Sequence, residues 1–167
     1  PPIKIIKKEQ PEKKKKSNKN EKATCFGENR YFKITTNRVI LEDRQTERFA
    51  SLNFQKFSKL LAKIQKIDEC ISKIENYEDC SWWSHLGESW FVSLKHGYRV
   101  VDLRKWFQDA NGRQWPTKCG FTIKISEWPT VKKAFEIWRK KRPDVFDIQP
   151  CYLDLSHQTI LGDYLFR

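Results

Sequence analysis

Between Arg99 and Lys118, five cationic residues (Arg99, Arg104, Lys105, Arg113 and Lys118) are interleaved with three aromatic ones, Trp106, Phe107 and Trp115. These two residue types answer two features of an unpaired nucleic-acid strand. Spaced cations neutralise phosphates and release counterions, while flat rings stack on base faces that no partner strand covers. Stacking one base on a ring is worth about 1–3 kcal/mol whatever the base, so little sequence preference is expected. Arginine adds planar stacking of its own guanidinium. Further back, Arg30, Lys33, Arg38, Arg44 and Arg48 form a second set of candidate phosphate contacts. Strict alternation along an extended segment puts Arg104 and Trp106 on one face and Lys105 and Phe107 on the other, which assigns one of the two rings to a core. Trp82, Trp83 and Trp90 are expected in core or junction packing.

Catalytic and metal chemistry find no comparable pattern. Acidic residues are scattered, His96 and Cys119 have no supporting Asn or Asp, and no glycine-rich loop is placed to cradle a phosphate. The five cysteines (Cys25, Cys70, Cys80, Cys119 and Cys151) are widely and irregularly spaced, without a CxxC pair, and His85, His96 and His157 stand near no cysteine cluster. Buried reduced thiols are expected rather than disulfides or zinc. The expectation is a non-enzymatic protein with no cofactor and no metal.

The charge balance points the same way. Across 167 residues, 33 Lys plus Arg oppose 21 Asp plus Glu, a formal charge of +12. Residues 1–22 hold nine Lys and three Glu, half of that total, with no apolar periodicity. Self-repelling charge of this kind predicts a disordered basic arm that suits a nucleic-acid polyelectrolyte and doubles as a nuclear-import signal. No apolar run approaches the ~18 residues of a membrane span, so no membrane partner is expected. With 38% hydrophobic and 14% aromatic residues, a core is available, and it is rich in aromatics.

The elements that must position these residues come in two copies. Residues 26–34 read FGENRYFKI and residues 86–94 read LGESWFVSL, each an apolar residue, Gly-Glu, a polar residue and a strand-like alternation. Second β-rich stretches follow at Arg38–Arg44 and Arg99–Phe107, third ones at Arg48–Leu52 and Gly120–Ile125, and then a helix start. Asn53 is a suitable N-cap for a helix whose stripe runs from Phe54 through Phe57, Leu60, Ile64, Ile67 and Ile71 to Ile74, with Lys56, Lys59, Lys63, Lys66 and Lys73 outside it. Ser126 is the expected cap of the second helix, with Pro129 in its first turn, a stripe of Trp128, Val131, Phe135 and Trp138, and Pro143 as its stop. Asp109-Ala110-Asn111-Gly112 is turn chemistry for a wide hairpin; in the first copy that connection shrinks to Gln45-Thr46. Trp82 and Trp83 fall at the junction. The expected fold is α+β: two tandem units, each a strand-rich antiparallel sheet plus a helix, forming an intramolecular pseudo-dimer. The boundaries are a basic arm at 1–22, a first unit at 23–80, a second at 81–142 and a C-terminal extension at 143–167.

The string LGESWFVSLKHGYRVVDLRKWFQDANGRQWPTKCGFTIKISEWPTVKKAF, with its Asp-Leu-Arg before two aromatics, its Asp-x-x-Gly turn and its Trp-opened helix, resembles the positive-cofactor-four family of single-stranded DNA-binding transcriptional coactivators. FASLNFQKFSKLLAKIQKIDECI, residues 49–71, is similar to the family's last strand and helix. The resemblance implies twisted β-ridges that grip unpaired strands, packed as a dimer through helices; here linkage makes the pairing intramolecular. It implies that Arg104 is the ridge arginine, Phe107 the stacking aromatic and Lys118 the late basic residue, with Arg44 and Arg48 as the first unit's counterparts. The long loop and its aromatic are missing from the first unit, and Cys119 replaces a second basic residue. The second unit is therefore expected to be the stronger grip. The expected partner is single-stranded or melted DNA, with RNA open as a second strand type. The rival reading is an interaction scaffold that docks through its C-terminal extension to a larger assembly, a transcription complex or a virus particle.

Overall fold

The computed structural model describes residues 22–148. Apart from Lys22 the expected basic arm lies outside the described residues, as do Cys151, His157 and the Tyr152-Leu153 and Ile160-Leu161 stretches of the extension.

Among the described residues, eight strands form two four-stranded meanders. The first contains β1 (Thr24–Gly27), β2 (Arg30–Ile34), β3 (Val39–Asp43) and β4 (Phe49–Leu52). The second contains β5 (Trp82–Gly87), β6 (Trp90–Leu94), β7 (Val100–Gln108) and β8 (Gln114–Lys124). All neighbours pair antiparallel. Three β stretches per unit were expected; there are four, because 26–34 and 86–94 each fold back on themselves. The reversal occurs at Glu28-Asn29 and Glu88-Ser89, with Asn29, Glu88 and Ser89 all at positive φ (55°, 47° and 69°). Two-residue turns of this handedness match strand twist, but Asn-Gly is their usual signature, and Glu-Ser conceals the turn from a sequence reading. Gly87, at φ 112° beside a register shift, supplies the conformation no larger residue adopts comfortably. Trp82 and Trp83 thus belong to β5 rather than to a junction.

Asn53 caps α1 (Phe54–Leu61), its side chain accepting the Lys56 N–H at 2.8 Å. The expected single stripe is interrupted at Ala62-Lys63, where the Lys63 N–H bonds the Leu60 carbonyl three residues back, and resumes in α2 (Ile64–Glu75). α3 (Trp128–Lys141) starts after Glu127 rather than Ser126, and the short α4 (Pro143–Phe146) follows.

The helices are exchanged between units. α3, from the second, packs on β1 and β2 of the first, while α1 reaches β5 and α2 reaches β6. Phe32 of the first sheet meets Phe135 of α3 at 5.0 Å between ring centroids, and Phe135 meets Phe57 of α1 at 5.3 Å, both edge-on. These rings are fully buried, so one aromatic core serves both units, and truncating any of them costs about 3–5 kcal/mol. Polar bonds repeat the exchange: Trp138 Nε1 donates to Thr24 Oγ1 at 3.0 Å, and Trp128 Nε1 donates to Asp68 of α2 at 2.8 Å. The start of the C-terminal extension joins the same layer. Val145 and Phe146 are buried, Phe146 lies 5.4 Å from Phe57, and Ser58 donates to the Ile148 carbonyl.

Two expectations are corrected here. Cys70 and Cys80 form a disulfide (Cα–Cα 5.7 Å), because the chain turns back after α2 through Tyr77 at φ 58° and brings residue 80 beside residue 70. Cys25 and Cys119 are free but exposed, not buried. Lys56, counted on the polar side of its helix, is also buried, its ammonium held 2.9 Å from Glu88 of the other unit.

Candidate nucleic-acid interface

The two sheets approach each other through β4 and β8, their last strands. A groove of about 380 Å³ lies there, lined by Arg38 and Arg48 from the first unit and Lys105 and Lys118 from the second. Four of the sequence candidates, far apart along the chain, thus share one surface. Arg38 is aimed by Ser51, whose hydroxyl and carbonyl accept its guanidinium at 2.9 and 2.8 Å. Phe49, 58% exposed, lines the same groove. Two carboxylates oppose these cations: Glu47 lines the groove itself, and Glu88, ion-paired to Lys56, also feels Arg38 and Lys105, the Lys56 hydrogen bond first and then its charge holding the Glu88 carboxyl below its usual range.

Beside the groove β7 and β8 continue past the end of β6, whose first residue Trp90 pairs with Lys105. A register shift separates Arg104 from Trp106, and beyond it Phe107 stands opposite Trp115. Both rings are more than half exposed because no helix covers this ribbon. Trp115 Nε1 donates to Asp109 Oδ2 at 3.0 Å, and Asp109 Oδ1 accepts the Asn111 and Arg113 N–H groups, so the turn fixes the ring. The Trp115 bond also holds the Asp109 carboxyl below its usual range. Arg113 is exposed at the tip. The expectation that one of Trp106 and Phe107 is core fails: Phe107 is exposed and Trp106 is half-buried on the outer sheet face. Arg104 is largely held by its own sheet. It pairs with Asp102 at 3.1 Å, donates to the Thr117 carbonyl at 2.7 Å and lies so close to Gly120 that a Cβ there would sit 2.7 Å from its Cζ.

The remaining candidates are not brought together. Arg30 is no phosphate contact but an internal bolt, 13% exposed at its side chain. It pairs with Asp43 at 2.9 Å and with Glu127 of the second unit at 3.0 Å, donates to the Thr122 carbonyl and lies 4.4 Å from the Phe121 ring centre. Its place on β2, turned towards the helix layer beside the inter-unit seam, is what a surface reading of the sequence missed. Lys33 and Arg44 flank Glu42 on the first sheet, Arg44 lying 3.8 Å over Tyr31. Arg99 precedes β7, at the opposite end of that strand from Phe107.

Of the three tryptophans expected in core or junction packing, one is corrected. Trp90 is buried and Trp82 packs on the core, as expected, but Trp83 is 68% exposed. The signal was alternation: Trp82, Ser84 and Leu86 face inward, which turns Trp83 and His85 out. Among the described residues no three His, Cys, Asp or Glu side chains gather as metal ligands, and no helix is long and apolar enough to cross a membrane.

Fold and surface together define an α+β protein of two tandem antiparallel sheets with a cationic, aromatic-edged groove at their seam. No protein-family model, curated protein or solved structure matches the chain.

Proposed function

We propose that this protein binds single-stranded or locally melted DNA without catalysing a reaction and with little sequence preference, serving transcription, replication or repair in the nucleus. One observation carries the reading: Arg38, Arg48, Lys105 and Lys118, two from each unit, line one groove that adjoins the exposed Phe107–Trp115 ribbon. Cations at a seam can follow a phosphate backbone, and uncovered rings accept bases only when those bases are unpaired. The resemblance to the positive-cofactor-four pattern supports the same assignment of Phe107 and Lys118. Duplex DNA binds more weakly on this reading, since its bases stay stacked on each other.

Four phosphate contacts at about 0.7 each give a log–log salt slope near −3 for a single strand. Fluorescence anisotropy with labelled dT15 tests this. Lys118→Gln is expected to weaken binding and flatten the slope by about 0.7, and Phe107→Ala to weaken binding with the slope unchanged. Equal affinity for duplex and single strand at ~150 mM salt defeats the proposal. A parallel titration with rU15 measures the preference for DNA over RNA.

A further inference from the structure

The outer face of the second sheet carries three rings in a diagonal row. Trp83 of β5 lies 5.5 Å from Phe91 of β6, and Phe91 lies 6.3 Å from Trp106 of β7, both edge-on. The register explains the row: Trp83 is opposite Ser93, Phe91 is opposite Arg104, and each ring is therefore the diagonal neighbour of the next. Large rings on a solvent face ordinarily signal a ligand surface, since the core of this sheet is already complete on its other side.

This row is continuous with the groove. A depression lined by Arg48, Arg104, Pro116 and Lys118 shares Arg48 and Lys118 with the groove. It shares Arg104 and Pro116 with a trough of about 340 Å³ that contains Lys95, Tyr98 and Trp106. That trough in turn shares Lys95 and Trp106 with a depression of about 560 Å³ that contains Trp83 and Phe91. A track therefore leaves the inter-sheet groove, crosses β8 at Pro116, and runs over the outer face past Arg104 and Lys95 to Trp83. Cations and rings alternate along it, with Asp102 paired to Arg104 in the trough and Glu47 in the groove as its acidic members; Lys118, Lys95 and the rings are the groups left to meet a charged backbone with bare bases.

We infer that a bound DNA single strand continues out of the groove, around β8, and stacks its bases on Trp106, Phe91 and Trp83, which makes Trp83 a binding residue. The inference rests on the proposed groove reading and extends it to a second sheet face. Trp83 is mostly solvent-exposed, so its removal leaves the core intact, and the thermal melt of Trp83→Ala serves as the folding control.

In anisotropy titrations with dT15, Trp83→Ala is expected to raise Kd about 5- to 150-fold without altering the salt slope, and Trp83→Phe to recover part of the loss. Photocrosslinking of a 5-iodouracil-substituted dT15 is expected to label the tryptic peptide 74–95, which holds Trp83 and Phe91. Affinity unchanged within twofold in Trp83→Ala while Lys118→Gln still weakens binding overturns the outer track and leaves the groove. Crosslinks confined to 106–118 do the same. No binding of dT15 by the wild-type protein defeats the groove reading itself. A proline-rich peptide that binds in a Trp83-dependent way while dT15 affinity does not respond to Trp83 replaces the DNA track with a peptide-docking face.

Discussion

Replacing Arg30 with methionine tests whether the two units are truly locked together. The guanidinium joins Asp43 of its own sheet at 2.9 Å to Glu127 at the start of α3 at 3.0 Å, and all three side chains are 13% exposed or less. Methionine fills much of the same space against Phe26 and Phe121 but leaves two nearly buried carboxylates without their partner. Breaking a buried pair by removing one side costs about 3–5 kcal/mol, mostly the desolvation of what remains. With an m-value of about 2 kcal/mol/M, the urea midpoint should fall by about 1.5–2.5 M. The companion variant carrying Arg30→Met, Asp43→Asn and Glu127→Gln should recover much of the loss, since no stranded charge is left. Urea unfolding followed by circular dichroism measures both. A midpoint shift below ~0.5 M for Arg30→Met would mean that Arg30 is ordinary solvated surface and that the exchanged-helix seam does not depend on it. At denaturant-free conditions the variant, where folded, should keep its salt slope for dT15, because Arg30 is not a phosphate contact.

Four further outcomes follow from the same geometry. Glu88→Gln removes a carboxylate that acts on the groove cations Arg38 and Lys105 and should tighten dT15 binding about threefold, read by anisotropy at low salt. Gly27→Ala places a Cβ 2.1 Å from the Glu127 carboxylate, forcing the Arg30–Glu127 pair apart, and should lower the thermal midpoint. Cys70→Ser with Cys80→Ser opens a loop of ten residues and should cost about 3 kcal/mol on the chain-entropy account, measured against the oxidised protein in urea. Burial first, then the Lys59 charge, holds the His85 imidazole below its usual 6.5, so its contribution is complete above pH 6.5 and is lost as pH falls through the lowered folded value. The thermal midpoint is therefore expected to decline on acidification from pH 7 to 5, and His85→Gln to remove the His85 share of that decline, measured by thermal melts across this range. A further acid loss remains as Asp43 titrates, its carboxyl held below the usual 3.8 chiefly by the Thr46 N–H, with Arg30 adding to it.

Local rules made much of this protein legible. The repeated Gly-Glu strings, the 3.6-residue stripes, the Asn53 cap and the Asp109–Gly112 turn are interactions between near neighbours, so residue type and spacing suffice to read them, and with them the α+β class and the two tandem units. The cation–aromatic composition of 99–118 is likewise a property of the chain, which is why Lys105, Phe107, Arg113, Trp115 and Lys118 all emerge on accessible surface. Tertiary structure decided the rest. Whether an arginine bolts or stays accessible depends on what lies across the seam: Arg30 faces Glu127 nearly a hundred residues away, whereas Arg48 faces Lys118 and open solvent. No periodicity encodes the exchange of helices between sheets, the pairing of Cys70 with Cys80 around a left-handed Tyr77, or the diagonal row from Trp83 to Trp106. Each arises from packing two curved sheets on a single aromatic core, and burial and desolvation are set by that packing rather than by sequence neighbours.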